Sequence, residues 1–302
     1  MGVTAGGPAV VAIGGNALVR RGGPDDVGAE RENARRAAEA LAALAGGGLV
    51  VTHGNGPQVG ALAEAAELAG RLAPLHVTVA ESQGHIGLLL QLELAAVLGA
   101  RPVCTLLTQV VVDARDPAFA QPAKPIGAVY DEARAARLVG EQGWAVARDG
   151  DGWRRVVASP EPQRVVELDA IRQLVAGGWV VVAAGGGGVP VAEVGGRLEG
   201  VDAVIDKDLT SALLAVELDA ALLVLLTDVD AVHREWDGSL RQPIARATAA
   251  ELRSLRFPAG TMGPKVTAAC RFVEATGRVA RIGSLDDAAA VASGESGTTI
   301  VP

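Results

Sequence analysis

The sequence contains few aromatic residues and little net positive charge, and both shortages exclude a class of function. Only 3% of its 302 residues are aromatic, which removes the stacking platforms on which single-stranded nucleic acids bind. The net charge is -8, whereas a nucleic-acid-binding surface carries clustered positive charge. We therefore expect no nucleic-acid partner, and a core that is built mainly from Ala, Val and Leu.

Cysteine is equally scarce, because the chain has only Cys104 and Cys270, far apart and with no second cysteine near either. This usage is typical of a reducing compartment in which both thiols are small core side chains. The amino-terminal sequence has no basic segment, and no apolar run approaches the roughly 18 residues that a membrane span needs. These features predict a soluble, cytoplasmic protein with no membrane partner.

Lysine is the third shortage, since the 27 basic residues comprise 24 arginines and the three lysines Lys124, Lys207 and Lys265. All three lie in stretches rich in Gly, Pro or Asp, which indicates loops. A compact ammonium is not equivalent to a planar guanidinium, so these positions favour a function over chance or codon bias. Lys207 lies between two aspartates just before a predicted helix, Leu209 to Leu218, and Asp208 can serve as its cap.

Short apolar runs alternate with segments of helical periodicity along most of the chain. Apolar runs of this kind predict strands that are buried on both faces, and the alternation predicts a parallel sheet covered by helices. The predicted strands are Ala9 to Ile13, Leu49 to Thr52, Val103 to Leu107, Trp179 to Ala183 and Ala221 to Leu226. The predicted helices include Glu30 to Ala45 and Glu81 to Leu98.

The alternation breaks between about Asp116 and Pro162, where the chain is polar and rich in proline. Two strand-like runs around the turn 149–152 predict a hairpin, and the size of the insertion favours a small projecting subdomain. Lys124 lies in it, so its ammonium could be swung over a site, although a solvated loop lysine is the simpler alternative. A flexible segment is expected after the glycines 185–188, as far as Gly200.

Small residues follow the first two predicted strands, at Gly14-Gly15 and at Gly54-Asn55-Gly56. A loop of small residues lets a ligand approach the backbone closely, and the second loop opens a helix whose N–H groups could hold a small anion. Ordinary tight turns are the alternative. His53, at the end of the second strand, could be catalytic, but a lone histidine there is more often structural.

Carboxylates follow a later strand, at Asp228 and Asp230, after Thr227. Carboxylates just beyond a strand end suit nucleotide hydroxyls or a metal, and turn initiation is the alternative. Lys265 lies near the start of a helix predicted to run to about Ala275. That is an unfavourable place for a cation unless an anion binds there too.

Nine motifs occur in an ordered series that spans nearly the whole chain. They are AIGGNAL (12–18), HGNGPQVG (53–60), ESQGHIG (81–87), LLTQVVVD (106–113), KPIG (124–127), AGGGGVPV (184–191), VIDKDLTSALLA (204–215), LTDVDAV (226–232) and MGPKVTAACRFVE (262–274). In this order and approximate spacing the chain resembles the carbamate kinase branch of the amino acid kinase family. The resemblance implies an α/β/α sandwich around a mainly parallel sheet, usually a homodimer, and reversible phosphoryl transfer between ATP and carbamate.

The resemblance also implies where the substrates bind. An amino-terminal lobe, residues 1–215, would hold the carbamoyl group under the protruding subdomain at about 116–162, and a carboxyl-terminal lobe, residues 216–302, would hold the nucleotide. The residues implied for carbamate or the moving phosphoryl group are Gly14, Gly15, Asn16, Gly54, Asn55 and Gly56. Those implied for the nucleotide are Thr227, Asp228, Asp230, Met262, Gly263 and Lys265.

Phosphoryl transfer requires positioning and positive charge, and the sequence has no Walker A loop. Our hypothesis is that Lys207 neutralises the transferring phosphoryl group, Lys265 contacts the phosphates from the nucleotide side and Asp208 orients both lysines. Lys124 would reach the substrate from the subdomain. Mg²⁺ would be held mainly by the ATP or ADP phosphates, without a direct protein ligand. Two alternatives remain: a related kinase for another carboxylate or phosphate acceptor, and a non-catalytic nucleotide sensor.

Overall fold

The strands of the molecule are short and most of them are strongly apolar. The computed structural model describes residues 7–15, 27–70, 73–234, 242–257 and 262–302. The described strands are β1 (Ala9–Ile13), β2 (Leu49–His53), β3 (Val103–Thr105), β4 (Gln109–Val111), β5 (Lys124–Tyr130), β6 (Ala145–Asp149), β7 (Gly152–Val157), β8 (Arg164–Val165), β9 (Val180–Val182), β10 (Val189–Val194), β11 (Arg197–Gly200), β12 (Leu222–Thr227), β13 (His233–Arg234), β14 (Gln242–Pro243), β15 (Arg246–Thr248), β16 (Val279–Ser284) and β17 (Thr298–Val301).

The helices lie between these strands in the chain. They are α1 (Val27–Ala42), α2 (Gly56–Leu68), α3 (Leu75–Leu98), α4 (Glu132–Gln142), α5 (Leu168–Ala176), α6 (Lys207–Glu217), α7 (Ala249–Arg253), α8 (Met262–Thr276) and α9 (Ala288–Ser293). Short 3-10 turns add Pro117–Phe119 and Gly185–Gly187. Within the described ranges, none of the helices combines the length and apolar character that crossing a membrane requires.

One eight-stranded sheet, in the order β15-β17-β16-β12-β1-β2-β9-β3, forms the centre of the fold. The pair β16–β17 is antiparallel, and the other neighbouring pairs are parallel. The predicted mainly parallel sheet is therefore confirmed. Strands β1 and β12, which come from opposite halves of the chain, are direct neighbours near the middle of the sheet.

Successive side chains of the central strands pack on opposite faces of the sheet, as strand geometry requires. In β1, Val10 and Ala12 belong to a core cluster that includes α6 and α8. Ala9, Val11 and Ile13 belong to a second cluster that includes α1 and α3. The helices thus cover both faces, and the predicted three-layer α/β/α sandwich is confirmed.

The insertion between the core units folds around a sheet of its own, in the order β5-β7-β6. The predicted hairpin is present as β6 and β7. Ala135 of α4 packs with Tyr130 and Trp144 in a small separate core. This sheet contacts the body through β5 and α2. The first residue of β5 is Lys124, so the position of this sheet decides where that lysine lies.

Two expectations about local structure are wrong. The segment expected to be flexible up to Gly200 is ordered, because β10 and β11 form a hairpin that pairs with β4 in a second sheet. Helix α3 begins at Leu75, six residues before the predicted start at Glu81. It starts there because Pro74 precedes it and the Asp202 side chain accepts the hydrogen bond of the Leu75 amide at 2.7 Å.

Candidate active site

The carboxyl ends of four adjacent parallel strands, β12, β1, β2 and β9, meet at one edge of the central sheet. The backbone N–H of Gly14 donates to the Leu226 carbonyl at 3.0 Å, and that of Gly54 donates to the Ile13 carbonyl at 3.0 Å. The loops after β1, β2 and β12 are therefore in direct contact. In open α/β sheets, ligands bind outside the carboxyl ends of the strands.

Gly54 is required for the close approach of two of these loops. A Cβ at this position would lie 2.6 Å from the backbone nitrogen of Gly15. The next residue, Asn55, is buried, and its side-chain amide donates to the hydroxyl of Ser82 at 2.8 Å. The structure thus brings Gly14, Gly15, Gly54 and Asn55 together, with Gly56 as the first residue of α2. The predicted residue Asn16 lies outside the described residues.

Helix α6 begins at Lys207, two residues earlier than predicted, and this changes the cap. The side chain of Asp206 accepts hydrogen bonds from the amides of Asp208 and Leu209, so Asp206 is the cap and Asp208 is not. The helix is fixed to β2 because Ser211 contacts the Thr52 hydroxyl at 2.7 Å. The helix start therefore lies beside the loops at the sheet edge.

Lys207 and Lys265 converge on one carboxylate. The Lys207 Nζ donates to Asp208 Oδ1 at 2.5 Å, and the Lys265 Nζ donates to Asp208 Oδ2 at 3.1 Å. The side chains are 11%, 12% and 5% exposed for Lys207, Lys265 and Asp208. Two cations and one anion therefore share a largely dehydrated site.

The burial of these three groups affects their ionisation in different ways. Burial lowers the pKa of Lys207, and the charge of Asp208 opposes that shift without reversing it. Burial also disfavours the charged form of Lys265, but the attraction of Asp208 outweighs it and raises the pKa of Lys265. The pKa of Asp208 is lowered, since the two lysines outweigh the burial that would raise it. At neutral pH Asp208 is an anion between its two partners.

The third lysine reaches the same neighbourhood from the insertion. The Lys124 Nζ donates to Asp206 Oδ2 at 2.9 Å. Asp206 immediately precedes Lys207, so the three lysines approach one short stretch of chain, Asp206 to Asp208. The predicted placement of all three in loops is wrong, because they occupy the first residue of β5, the first residue of α6 and the fourth residue of α8.

The residues predicted for the nucleotide lie at the end of β12 and the start of α8. Thr227 is buried and donates from its hydroxyl to Asp228 at 3.0 Å. The negative charge of Asp228 contributes to the raised pKa of Lys265, which links the loop to the lysines. Asp230 instead contacts His233 at 2.8 Å. The first two residues of α8 are Met262 and Gly263.

His53 lies beside the site in surroundings that suit a structural histidine. The residue is 1% exposed, and its Nδ1 lies 3.1 Å from the Gly54 carbonyl oxygen. Burial lowers the pKa of His53 to about 4, a net shift that the hydrogen bond with the Gly54 carbonyl opposes and the positive charge of Lys207 assists. A Cβ on Gly185 would lie 2.3 Å from Nε2, so the ring packs tightly against the glycine loop after β9.

Asp206 is the residue that sequence reasoning missed. The signal was present, because Asp is a preferred helix cap and both aspartates of the D-K-D stretch fit that preference. The predicted helix start, two residues too late, selected Asp208. Nothing in the sequence pointed to the contact with Lys124, since 82 residues separate the two positions.

Within the described residues, no group of three or more His, Cys, Asp or Glu side chains is arranged to hold a metal ion. The carboxylates closest to the lysines, Asp206 and Asp208, are each occupied by ammonium groups. The donor set around this stretch therefore suits an anion and offers no ready cage for a divalent cation. A divalent cation such as Mg²⁺ would fit here if it were bound to the phosphates of a ligand.

Comparisons with known proteins agree with this geometry. A family model described as "Amino acid kinase family" matches residues 8–284. The chain is 49% identical over 298 residues to a carbamate kinase of Rhizobium meliloti (strain 1021), a match that covers 96% of this chain and 92% of that relative. It is 46% identical over 296 residues to a carbamate kinase of Haemophilus influenzae, with 96% of each chain covered.

A solved structure also matches this fold over nearly its whole length. The carbamate kinase from Giardia lamblia bound to AMP-PNP matches with a TM-score of 0.89 at 38% sequence identity. The match covers 98% of this chain and 99% of that one. The similarity therefore includes the sheet edge, the insertion and the segments that carry the three lysines.

Proposed function

The chain belongs to the carbamate kinase branch of the amino acid kinase family, and from this premise we propose that it catalyses reversible phosphoryl transfer between ATP and carbamate. The products would be ADP and carbamoyl phosphate. A carbamate oxygen would attack the γ-phosphorus while the bond to the bridging oxygen of ADP breaks. Carbamate is already an anion, so this step needs no general base.

One observation carries the proposed mechanism, the shared use of Asp208 by Lys207 and Lys265. A transferring phosphoryl group carries negative charge on its oxygens, and preorganised cations stabilise that charge at no reorganisation cost during the reaction. A carboxylate between two lysines fixes both ammonium groups before the substrate arrives. We assign Lys207 to the moving phosphoryl group and Lys265 to the phosphates on the nucleotide side.

The glycine loops supply the second part of the proposed site. Gly14, Gly15, Gly54, Asn55 and Gly56 would bind carbamate or the phosphoryl oxygens, because α2 starts at Gly56 and helix N-termini favour anions. Asn16 belongs to the same proposal by its place in the sequence. Lys124 would close over the carbamoyl group together with the protruding subdomain at about 116–162.

We propose that the nucleotide binds on the other side of the lysines, in a carboxyl-terminal lobe of residues 216–302, with residues 1–215 as the carbamoyl lobe. Thr227, Asp228 and Asp230 would contact the nucleotide from the end of β12, and Met262, Gly263 and Lys265 from the start of α8. Mg²⁺ would enter with the nucleotide as part of the substrate, held by its phosphates.

We also propose a homodimer and a cytoplasmic location. The large apolar side chains Val77, Leu88 and Leu92, which share one face of α3, are exposed by 40 to 55%. A row of exposed apolar groups on one helix is typical of a protein interface, and a two-fold axis would pair it with itself. The two thiols are free, which supports a reducing compartment.

The test of the activity is a coupled assay that follows ATP formed from ADP, Mg²⁺ and carbamoyl phosphate. We expect steady ATP formation that depends on all three components. Acetyl phosphate and the acyl phosphates of amino acids serve as competing donors at equal concentration. Faster turnover with one of them would reassign the acceptor within the family, and binding of ADP without ATP formation from any donor would indicate a nucleotide sensor.

A further inference from the structure

Asp206 uses its two carboxylate oxygens for two separate contacts. Oδ1 accepts hydrogen bonds from the backbone amides of Asp208 at 2.9 Å and Leu209 at 3.3 Å, which caps α6. Oδ2 accepts from the Lys124 Nζ at 2.9 Å. One carboxylate therefore touches both the start of the helix that carries Lys207 and the side chain that the insertion contributes.

We propose that Asp206 is a positioning residue for Lys124 in phosphoryl transfer, a role that rests on the function proposed above. A lysine has a flexible four-carbon stem, and its ammonium carries three donors. The contact with Asp206 occupies one donor and leaves two for oxygens of the substrate. It also fixes the ammonium on the residue that immediately precedes Lys207 before the substrate binds, and a fixed position is the condition for preorganised stabilisation.

The surroundings of the pair make the contact stronger than an ordinary surface ion pair. The side chains of Lys124 and Asp206 are only 23% and 17% exposed, so water screens their attraction less than it does at the surface. Asp206 is held in place by the two amides that it caps. Lys124, in contrast, is the first residue of β5, and its partner lies 82 positions later in the chain.

The arrangement repeats, with a second carboxylate, what Asp208 does for the other two lysines. Lys207 and Lys265 share Asp208, and Lys124 has Asp206. Each of the three ammonium groups thus has a carboxylate partner, which limits repulsion among the cations while no substrate is bound.

The capping role and the positioning role of Asp206 can be separated by one substitution. Asn caps helices about as well as Asp, so Asp206→Asn keeps the bond from Oδ1 to the start of α6. The amide nitrogen would then face the Lys124 ammonium, and two donors cannot bond each other. Lys124 loses its fixed position while the helix keeps its cap.

The experiment combines Asp206→Asn with Lys124→Ala in a double-mutant cycle, measured as ATP formation from ADP, Mg²⁺ and carbamoyl phosphate. We expect Asp206→Asn to lower kcat/KM for carbamoyl phosphate on the order of ten-fold, because a misplaced catalytic group costs rate steeply. The KM for ADP and the thermal midpoint should stay close to wild type. In the Lys124→Ala background, Asp206→Asn should add less than a two-fold loss.

Asp202→Asn is the matched control. Asp202 lies four residues before Asp206 in the chain, and its side chain accepts the hydrogen bond of the Leu75 amide at the start of α3. The variant Asp202→Asn therefore also removes one negative charge and also keeps an acceptor for a helix amide. We expect its kcat/KM to remain within two-fold of wild type. A loss equal to that of Asp206→Asn would show that general charge, and not contact with Lys124, sets the rate.

Three results would overturn the positioning role. They are unchanged or increased kcat/KM in Asp206→Asn, a full loss that persists in the Lys124→Ala background, and a KM for ADP that rises in step with the loss, which would indicate a disturbed α6. Failure of the proposed function is a different result, since the wild-type protein itself would then make no ATP from carbamoyl phosphate.

Discussion

At the scale of single residues, the site depends on the cost of burying like charges. Two lysines that are almost inaccessible to water would repel each other and would favour their neutral forms. Asp208 removes both problems, because each of its oxygens accepts from one ammonium. The same carboxylate that makes the cations tolerable in the folded protein also fixes where they point.

We predict that Lys207→Ala and Lys265→Ala each lower kcat on the order of 10² to 10³, about 3 to 4 kcal/mol of transition-state stabilisation. Each change removes one preorganised donor and leaves Asp208 with the other lysine as a partner, so the fold should be retained. The measurement is steady-state ATP formation, with circular dichroism and a urea melt to verify folding.

The matched control for these lysines is Arg271→Ala, which also removes a positive charge from α8. Arg271 is exposed and pairs with Glu161 at 2.7 Å, away from Asp208. Its variant should keep turnover within two-fold of wild type. If a folded Lys207 or Lys265 variant turns over like this control, that lysine has no catalytic role.

His53 gives the folded protein a pH dependence of stability. Its pKa is about 4 in the folded state and about 6.5 in an unfolded chain. Between these pH values the unfolded state binds the proton and the folded state does not, so stability decreases as the pH falls. Complete passage through this window corresponds to about 3 kcal/mol.

We therefore predict that His53→Gln flattens the decline in stability between pH 6.5 and pH 4. Urea unfolding of both proteins at several pH values gives the comparison, because carboxylates contribute equally to both curves and cancel in the difference. The difference between the two free energies of unfolding should shrink as the pH falls. Two parallel curves would mean that His53 has the same pKa in the folded protein as in the unfolded chain.

At the scale of elements, the contact between α2 and β5 decides where the insertion sits. Gly60 in α2 faces Gly127 in β5, and a Cβ on Gly60 would lie 1.9 Å from the Gly127 Cα. That atom is backbone, so the strand itself would have to move. Because β5 starts with Lys124, any such movement displaces that lysine from Asp206.

We predict that Gly60→Ala raises the KM for carbamoyl phosphate and lowers kcat, together by at least about ten-fold in kcat/KM. Overpacking of this kind also destabilises a fold by about 1 to 3 kcal/mol. The KM for ADP should change little, since the nucleotide residues lie on β12 and α8. Steady-state kinetics with each substrate varied in turn measures the three quantities.

Gly140→Ala is the matched control for this helix glycine. Gly140 lies in α4 of the insertion, where a Cβ would meet nothing within 4 Å. Alanine favours a helix over glycine by about 0.5 to 1 kcal/mol, so this variant should be equally or more stable with unchanged kinetics. Similar kinetic losses in both variants would show that the close contact at Gly60 is not the cause.

The sequence predicted five of the eight strands of the central sheet because their apolar patterns are local, and it did not predict β15, β16 and β17. The strand predicted at Ala9 to Ile13 matches β1, and the family resemblance drawn from nine motifs is confirmed by the comparisons. Element starts were less predictable, since they depend on distant partners. Helix α3 begins at Leu75 because Asp202, 127 residues away, accepts its first amide bond.

The sequence identified most residues of the site but not which of their side chains contact each other. Lys207, Lys265 and Asp208 were singled out from composition and motifs, and the structure brings them together. Their functional roles stay predictions. The contact of Lys124 with Asp206 depends on how β5 packs against the body.

At the scale of the whole molecule, the central sheet joins the two proposed lobes through β1 and β12. The three lysines and two aspartates of the proposed site all belong to one chain, and the described contacts among them need no second copy. The exposed face of α3 lies on the layer of the sandwich that packs against α1. Assembly and catalysis can therefore be tested separately.

We predict that a double substitution, Leu88→Glu with Leu92→Glu, converts the proposed dimer into monomers. The two leucines are 55% and 51% exposed and lie four residues apart on α3, so they share one helix face. Charges buried against their own copies across a two-fold axis would repel, which a stable interface cannot tolerate. Light scattering after size-exclusion chromatography measures the mass directly.

The control for this change is Val139→Glu, which places a charge on the exposed face of α4, where Val139 is 42% exposed. This variant should stay dimeric, and the α3 variant should be a folded monomer with turnover within a few-fold of wild type, because the lysine site belongs to one chain. A wild-type protein that is already monomeric at micromolar concentration would refute the dimer. A dimer that survives both glutamates would place its interface on another surface.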